Sequence, residues 1–219
     1  MDLPQIESHI RRVLQEQTDK SCKKLWEDVV TTLRSAPFDY RYEHTLAVVR
    51  NARAIAKLTG ADVELVVLAA WLHDIAKPTT MSDKEHAEKS SRIAAKILRE
   101  LDLPSEKIKK VEDIIRKHPG LVSHEKVEPF EAACLWDADK LAKLGVTHLF
   151  HYLPTLTLTD PCSSTTGQLE KLGDYIHLAE KIVESMKTAP GKKAAKKRLK
   201  VLKWIHRQLK REIFVEDIV

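Results

Sequence analysis

Eight consecutive apolar residues, Leu65 to Leu72, constrain the fold of this chain more than any other feature of its sequence. A helix that is apolar around its whole circumference must be buried on all sides, so we expect this segment at the centre of the core. The run leads directly into His73 and Asp74. An imidazole and a carboxylate are costly to bury unless they pair with each other or bind a metal ion. The first candidate functional residues are therefore expected inside the fold.

Helical periodicity continues through the rest of the chain. Apolar residues recur three and four positions apart almost everywhere, and only six glycines occur among 219 residues. This pattern predicts an all-α fold of nine to eleven helices. Gly60 is placed to end one helix and Asp62 to cap the next, while Ser82 with Glu85 matches a capping box.

The predicted helices fall into three parts of one compact domain. We expect N-terminal helices in residues 1–37, a core in residues 38–154 and C-terminal helices in residues 155–219. The segment from Thr155 to Gly167 is rich in Thr, Ser and Pro, which predicts a surface loop.

Further histidine and aspartate residues lie on helices expected to pack near His73. His44 precedes it by 29 residues, and Asp137 and Asp139 follow on a helix with one apolar face. Imidazoles and carboxylates without a thiolate suit Mn, Fe, Co, Ni or Zn, with Mg as a further option. Two residues span about 200° of a helix, so only one of the two aspartates can face the same metal.

Three segments, YRYEHTLAVVRNARAIA, LAAWLHDIAKP and DADKL, together resemble the HD-domain superfamily in their order of His, His-Asp and Asp. The resemblance covers about residues 38 to 145 and implies an HD-type metal-binding helical bundle, here with additional N- and C-terminal helices. It also implies a metal-dependent phosphohydrolase with one or two divalent ions per chain. Family members commonly read ADRL or ADKL at the last motif. The ligands so implied are His44, His73, Asp74 and Asp139.

Two basic residues are candidates for binding the substrate. Lys77 follows Asp74 by three residues, and an ammonium group beside a metal site is a natural partner for phosphate. The HDIAKP segment is similar to the HDIGKP form of phosphodiesterase branches of the family. The alternative for Lys77 is a solvated lysine that interacts with the helix dipole. Arg41, three residues before His44, is a second candidate with weaker support.

His86 and His118 extend the resemblance to binuclear members of the superfamily. In those members additional histidines hold a second metal, and the aspartate of the His-Asp pair bridges the two ions. The alternative is that both histidines line the pocket and bind substrate without a metal of their own.

The leading functional hypothesis is hydrolysis of a phosphate ester, in particular of a nucleotide, by metal-activated water. Asp74 and Lys77 are the expected catalytic residues. A diiron oxygenase is the alternative enzyme and would need both His86 and His118 bound to iron. The GYP motif of the cyclic-dinucleotide branch does not occur in the sequence, which argues against that substrate.

The net charge of +5 is unevenly distributed. Residues 187–211 contain eleven Lys and Arg and no acidic residue, which leaves 26 basic against 32 acidic residues elsewhere, a net of −6. An apolar stripe within the same segment predicts an amphipathic helix that docks on the body and turns its basic face outward. A third hypothesis is therefore a non-catalytic protein that binds nucleic acid or an acidic partner through residues 187–211. The alternative is that this segment is a solvated surface helix without a partner.

Other classes are disfavoured by composition. No stretch approaches the roughly 20 apolar residues of a membrane span, and the N-terminal residues lack the apolar region of a secretory signal. The three cysteines, Cys22, Cys134 and Cys162, are far apart, as expected of reduced thiols in a cytoplasmic protein. Oligomeric state is not predicted.

Overall fold

The computed structural model describes residues 2–26, 40–77, 82–159 and 164–218. Within these residues the protein is all-α, as predicted, with nine helices and no strand. The helices are α1 (Leu3–Trp26), α2 (Tyr40–Thr59), α3 (Val63–Leu72), α4 (Asp83–Glu100), α5 (Ser105–Arg116), α6 (Phe130–Ala142), α7 (Val146–Thr159), α8 (Thr165–Glu184) and α9 (Ala189–Ile213).

Helix α3 lies at the centre of the core. Every residue from Leu65 to Leu72 is buried, and α3 packs against α1, α2, α4, α5 and α6. The Asp62 carboxylate accepts a hydrogen bond from the Leu65 backbone N–H at 3.1 Å, so the predicted N-cap is confirmed. The helix ends at Leu72, and the following residues continue as turns. From the sequence, Pro78 is expected to end the helical pattern of this segment, and it lies outside the described residues.

The helices around α3 begin and end largely where the sequence indicates. Gly60 has a φ of +75°, a left-handed conformation that favours glycine directly after α2. The capping box at the start of α4 is formed, with Ser82 accepting from the Glu85 backbone and the Glu85 side chain accepting from the Ser82 backbone. This cap fixes the first turn of α4, on which His86 lies.

The loop predicted from Thr155 to Gly167 is wrong over most of its length. Helix α7 continues to Thr159, and α8 begins at Thr165 behind the N-cap Ser164. Residues 160–163 lie outside the described structure. The prediction rested on the poor helix propensity of Thr and Pro. The helical spacing of the apolar residues was the better indicator, because both helices extend into this segment.

The C-terminal helices pack on the core. Helix α9 lies against α8, α6, α2 and α7. Ala195 and Leu202 are fully buried, and Leu199 and Ile205 pack against the core beside them. The basic helix is therefore docked by its apolar stripe, as predicted. Among the described residues, no helix combines the length and the apolar character needed to cross a membrane.

Other expectations at the N-terminus are met only in part. Helix α1 is continuous to Trp26. The apolar spacing from Leu25 to Leu33 predicts a second helix that ends near Pro37, and this segment lies mainly outside the described residues. The division into parts 1–37, 38–154 and 155–219 stays a prediction.

Candidate metal centre

Three of the predicted ligands converge from three helical elements. His44 lies on α2, His73 follows the end of α3, and Asp139 lies on α6. The Asp139 Oδ1 atom is 3.1 Å from His44 Nε2 and 3.9 Å from His73 Nε2. All three side chains are almost fully buried. Each offers one ligand atom, and these atoms lie within 4.8 Å of one another, a spacing that can accommodate one metal ion.

Asp74 is the centre of a second, adjoining set. Its carboxylate forms another possible metal-binding group with His73 and His118. The Asp74 Oδ1 atom is 3.3 Å from His118 Nε2 and 3.2 Å from His86 Nε2, and these two nitrogens are 3.2 Å apart. The structure therefore brings together all six residues that the sequence singled out as ligands: His44, His73, Asp74, His86, His118 and Asp139.

Backbone carbonyl groups orient two of the imidazoles. The Nδ1 atom of His73 is 2.8 Å from the Ala70 carbonyl oxygen, and that of His118 is 2.7 Å from the Ile115 carbonyl oxygen. In the neutral imidazole, each Nδ1–H donates to its carbonyl and leaves the Nε2 lone pair directed at the cluster. Histidines that bind metals are commonly held in this way.

Two buried atoms of the cluster lack a hydrogen bond. Among the described residues, His73 Nε2 and Asp74 Oδ1 have no partner with hydrogen-bonding geometry, although both face other cluster members. Unsatisfied buried polar atoms are rare in folded proteins, and a bound ion is one of the accepted explanations. The donor set, made of imidazole nitrogens and carboxylate oxygens, fits a divalent transition metal.

The protonation states also suit a metal. Burial lowers the pKa of His73 to about 3, against the opposing effect of the Asp74 charge. Burial likewise lowers the pKa of His118. For Asp74 burial acts to raise the pKa, but the neighbouring His73, His118 and His86 imidazoles and the Lys77 ammonium hold it well below its usual range. His73 and His118 are therefore neutral imidazoles and Asp74 is an ionised carboxylate, the forms that bind metal.

Two lysines that the sequence reasoning missed neutralise Asp139. The ammonium of Lys140, fully buried, donates to Asp139 Oδ2 at 2.9 Å and to the His118 carbonyl oxygen at 2.6 Å. Lys143 donates to both oxygens of the same carboxylate, at 2.8 and 2.9 Å. Burial raises the pKa of Asp139, but Lys140, Lys143 and His44 outweigh it and keep that pKa well below its usual range.

Asp137 lies outside the cluster. Its carboxylate accepts hydrogen bonds from the backbone N–H groups of Lys187 and Thr188, both at 2.7 Å, and from the Thr188 hydroxyl at 2.6 Å. It therefore anchors the chain directly before α9, while Asp139 faces the histidines.

The two basic candidates for substrate binding lie at the edge of the cluster. Lys77 donates to Asp74 Oδ2 at 2.9 Å, and its side chain is about a third exposed. Arg41 is half-buried on the first turn of α2, one turn before His44.

Helix α7 carries two further buried histidines, His148 and His151, which belong to none of the motifs that imply ligands. His148 stacks on Tyr175 with ring centroids 4.9 Å apart. Burial lowers its pKa to about 4, with smaller contributions from His151 and His44. Both residues therefore lie on the His44 side of the centre. Four further histidines, whose polar or amphipathic sequence contexts predict surface positions, lie outside the cluster. His124 and His177 are exposed, and His9 and His206 are half-buried.

Comparison with known families agrees with this arrangement. Residues 41–144 match the family model of the HD domain. This chain contains an HD domain. The match includes His44, His73, Asp74 and Asp139. HD domains are typical of metal-dependent hydrolases, which supports an enzymatic function for this chain. No match was found among curated proteins.

Solved structures with the same fold include three bacterial proteins. A predicted HD superfamily hydrolase from an uncultured Thermotogales bacterium is 20% identical, with a TM-score of 0.61 over 96% of this chain and 99% of that one. An HD-superfamily hydrolase from Bacillus thuringiensis is 20% identical, with a TM-score of 0.62 over 91% and 97%. Bacillus subtilis YpgQ, solved in complex with ADP, is 19% identical, with a TM-score of 0.64 over 94% and 97%. At these identities the likeness shows the fold.

Proposed function

We propose that this HD-domain protein is a metal-dependent phosphohydrolase that acts on a phosphate ester of a nucleotide. The observation that carries the proposal is the buried convergence of His44, His73 and Asp139, with Asp74 adjoining them. Burial of this many ionisable groups around two unsatisfied atoms has a physical reason if they hold a metal.

In this proposal His44, His73, Asp74 and Asp139 hold the catalytic metal. A bound divalent metal lowers the pKa of water and polarises a phosphoryl oxygen. The chain's own groups prepare the site: the carbonyl groups of Ala70 and Ile115 orient two imidazoles, and Lys140 and Lys143 keep Asp139 ionised. The identity of the metal, among Mn, Fe, Co, Ni, Zn and Mg, is left to measurement.

Lys77 is proposed to bind the substrate phosphate. Its ammonium group lies 2.9 Å from Asp74 Oδ2 on a side chain that reaches solvent, so it joins the cluster to the exterior. A phosphate oxygen can accept from an ammonium donor of this kind while the lysine remains beside Asp74. Arg41 is a second proposed phosphate ligand because it lies one turn before His44.

The nucleotide part of the proposal has two sources of support. Bacillus subtilis YpgQ, which shares the fold, was solved in complex with ADP. The sequence resemblance independently implies phosphorylated substrates. A cytoplasmic location belongs to the same proposal and agrees with three cysteines that are far apart in the sequence.

Metal analysis followed by a hydrolysis assay tests the function. The protein, purified without chelators, is expected to contain a divalent transition metal and to release phosphate or pyrophosphate from at least one member of a nucleotide panel. His73→Ala and Asp74→Ala are expected to lose both metal and activity. His177→Ala, at an exposed histidine on α8, is the matched control and should retain both. Activity that survives in either centre variant contradicts the proposal.

A diiron oxygenase is the second candidate, favoured by one observation. His86 Nε2 and His118 Nε2 both lie within 3.3 Å of Asp74 Oδ1, so Asp74 could be shared between two ions. This function requires two irons per chain and oxygen consumption that is lost in both His86→Ala and His118→Ala. A single metal per chain, or hydrolysis of nucleotides without oxygen uptake, rules it out.

A further inference from the structure

Helix α9 presents an exposed surface of cations that the metal centre does not use. We name this surface the basic face. Its members are lysine and arginine residues whose side chains are exposed, on the side of α9 that does not pack against the core. They are Lys192, Lys193, Lys196, Lys197, Lys200, Lys203, Arg207, Lys210 and Arg211. Such a concentration of like charge costs free energy through repulsion unless an anionic partner is bound.

Few of these charges are balanced within the protein. In the part of the chain that the structure describes, the one ion pair made by the basic face joins Lys203 to Glu180 of α8. By contrast, cations elsewhere on the surface, such as Arg116, pair with several carboxylates at once. The basic face is therefore available for an anion of extended shape.

An exposed tryptophan interrupts the basic face. Trp204 is 54% exposed, and it lines a groove of about 390 Å³. The other residues that line the groove are mostly cationic: Lys196, Leu199, Lys200, Lys203 and Arg207. Contact with water does not stabilise a large aromatic ring, whereas its face can stack on a nucleobase. Base–aromatic stacking contributes about 1–3 kcal/mol per base.

The docking of α9 distinguishes between possible anionic partners. A helix that binds a membrane surface buries its apolar face in the lipid. In α9 that face is already used, since Ala195 and Leu202 are fully buried in the protein. A duplex keeps its bases stacked and offers Trp204 no free face. A single strand supplies both phosphates and unstacked bases.

We propose that the basic face of α9 binds single-stranded nucleic acid without sequence preference. Lys196, Lys200 and Arg207 contact successive phosphates, and Trp204 stacks on a base between them. The three cations lie on one side of the helix, at intervals of four and seven residues. This site is separate from the proposed hydrolase function, and either can fail without the other.

Fluorescence anisotropy with a labelled 20-nucleotide oligo(dT) and the full-length protein tests the proposal. With the three phosphate contacts proposed, raising the salt concentration from 50 to 200 mM is expected to weaken binding about 20-fold. Charge reversal by Lys196→Glu, Lys200→Glu and Arg207→Glu together should abolish measurable binding. The matched control reverses three exposed lysines on other helices, Lys57→Glu, Lys89→Glu and Lys109→Glu, and should bind within about twofold of wild type.

The tryptophan separates the proposal from plain charge attraction. Trp204→Ala is expected to weaken oligo(dT) binding about 5- to 100-fold while leaving heparin binding unchanged, and Trp204→Phe should retain most of the affinity. Thermal melting of each variant verifies folding. The proposal is overturned if Trp204→Ala binds oligo(dT) as wild type does, if a 20-base-pair duplex binds more tightly than the single strand, or if phosphatidylserine vesicles compete as well as the oligonucleotide.

Discussion

At the scale of single residues, two aspartates on one helix have different tasks. Asp139 faces the histidines, whereas Asp137 accepts three hydrogen bonds from Lys187 and Thr188. Asp139→Asn is therefore expected to lose the bound metal, measured per chain, without preventing folding. Asp137→Asn should keep the metal and lower the stability by about 2–3 kcal/mol, because buried donors lose a charged acceptor. That loss corresponds to a melting temperature lower by about 4–12 °C.

The comparison of these two variants is its own control. Both replace a buried carboxylate on α6 with an amide of nearly the same shape. If Asp137→Asn lost the metal while Asp139→Asn retained it, the proposed ligand set would be wrong.

Some residues of the metal centre could be predicted from the sequence and others could not. His44, His73 and Asp74 were predictable because buried polar groups must be paired or bound. Lys140 was not, because lysine is among the residues least often fully buried. Its burial depends on the His118 carbonyl group, which arrives from a different element, together with the adjacent Asp139 carboxylate and the Trp136 ring beneath its ammonium at 3.9 Å. Lys143 left a weak signal, since it lies four residues after Asp139, at the C-cap of α6.

At the scale of helices, the start of α9 depends on the absence of a side chain. A Cβ atom at Gly191 would lie 2.1 Å from Asp137 Oδ2 and 2.8 Å from Thr188 Oγ1. Replacing a helical glycine with alanine ordinarily stabilises by about 1 kcal/mol. Here the sign should reverse, because the added methyl group displaces the carboxylate that anchors α9. We expect Gly191→Ala to lower the stability by about 2–4 kcal/mol in urea unfolding.

Gly173 on α8 provides the matched control. A Cβ atom there would meet the His206 ring at 3.3 Å, a side chain that is half-buried and can move. Gly173→Ala should therefore change the stability by no more than about 1 kcal/mol in either direction. Equal losses in the two variants would contradict the anchoring role of Asp137.

Helix boundaries show which local signals were decisive. The capping residues Asp62 and Ser82 were reliable because each satisfies backbone donors that a helix start leaves open. The end of α7 was not predictable from composition. Apolar residues at Leu149, Leu153 and Leu156 keep the helical spacing into the start of the stretch that was expected to be a loop.

At the scale of the whole molecule, metal binding should stabilise the fold because the proposed ligands join separate elements. His44, His73 and Asp139 come from α2, the turn after α3, and α6. An ion at 100 times its Kd adds about 2.7 kcal/mol to the free energy of unfolding. Removal of the metal with a chelator is therefore expected to lower the melting temperature by about 5–11 °C, and its return to restore it. In Asp139→Asn the shift should vanish, and a wild-type shift in that variant would contradict the proposed site.

Buried histidines should make the metal-free protein sensitive to acid. The pKa of His73 is lowered to about 3 and that of His148 to about 4, both chiefly by burial. Because these folded-state values lie below 6.5, the unfolded chain takes up protons first as the pH falls. The resulting stability is therefore complete above pH 6.5 and is lost progressively between pH 6.5 and the folded pKa.

His148 offers the clearest test of this effect because it is not one of the proposed ligands. Its shift corresponds to a loss of about 3 kcal/mol between pH 7 and pH 4. In chelator-treated samples, the melting temperature of His148→Gln is expected to fall less than that of the wild type as the pH is lowered from 7.5 to 4.5. His177→Gln, at an exposed histidine, removes the same group from a solvated position and should follow the wild-type curve. If His148→Gln lost as much stability in acid as the wild type does, the acid sensitivity would have to originate in the cluster itself. There, protonation of the Asp74 and Asp139 carboxylates also lowers the stability, at lower pH.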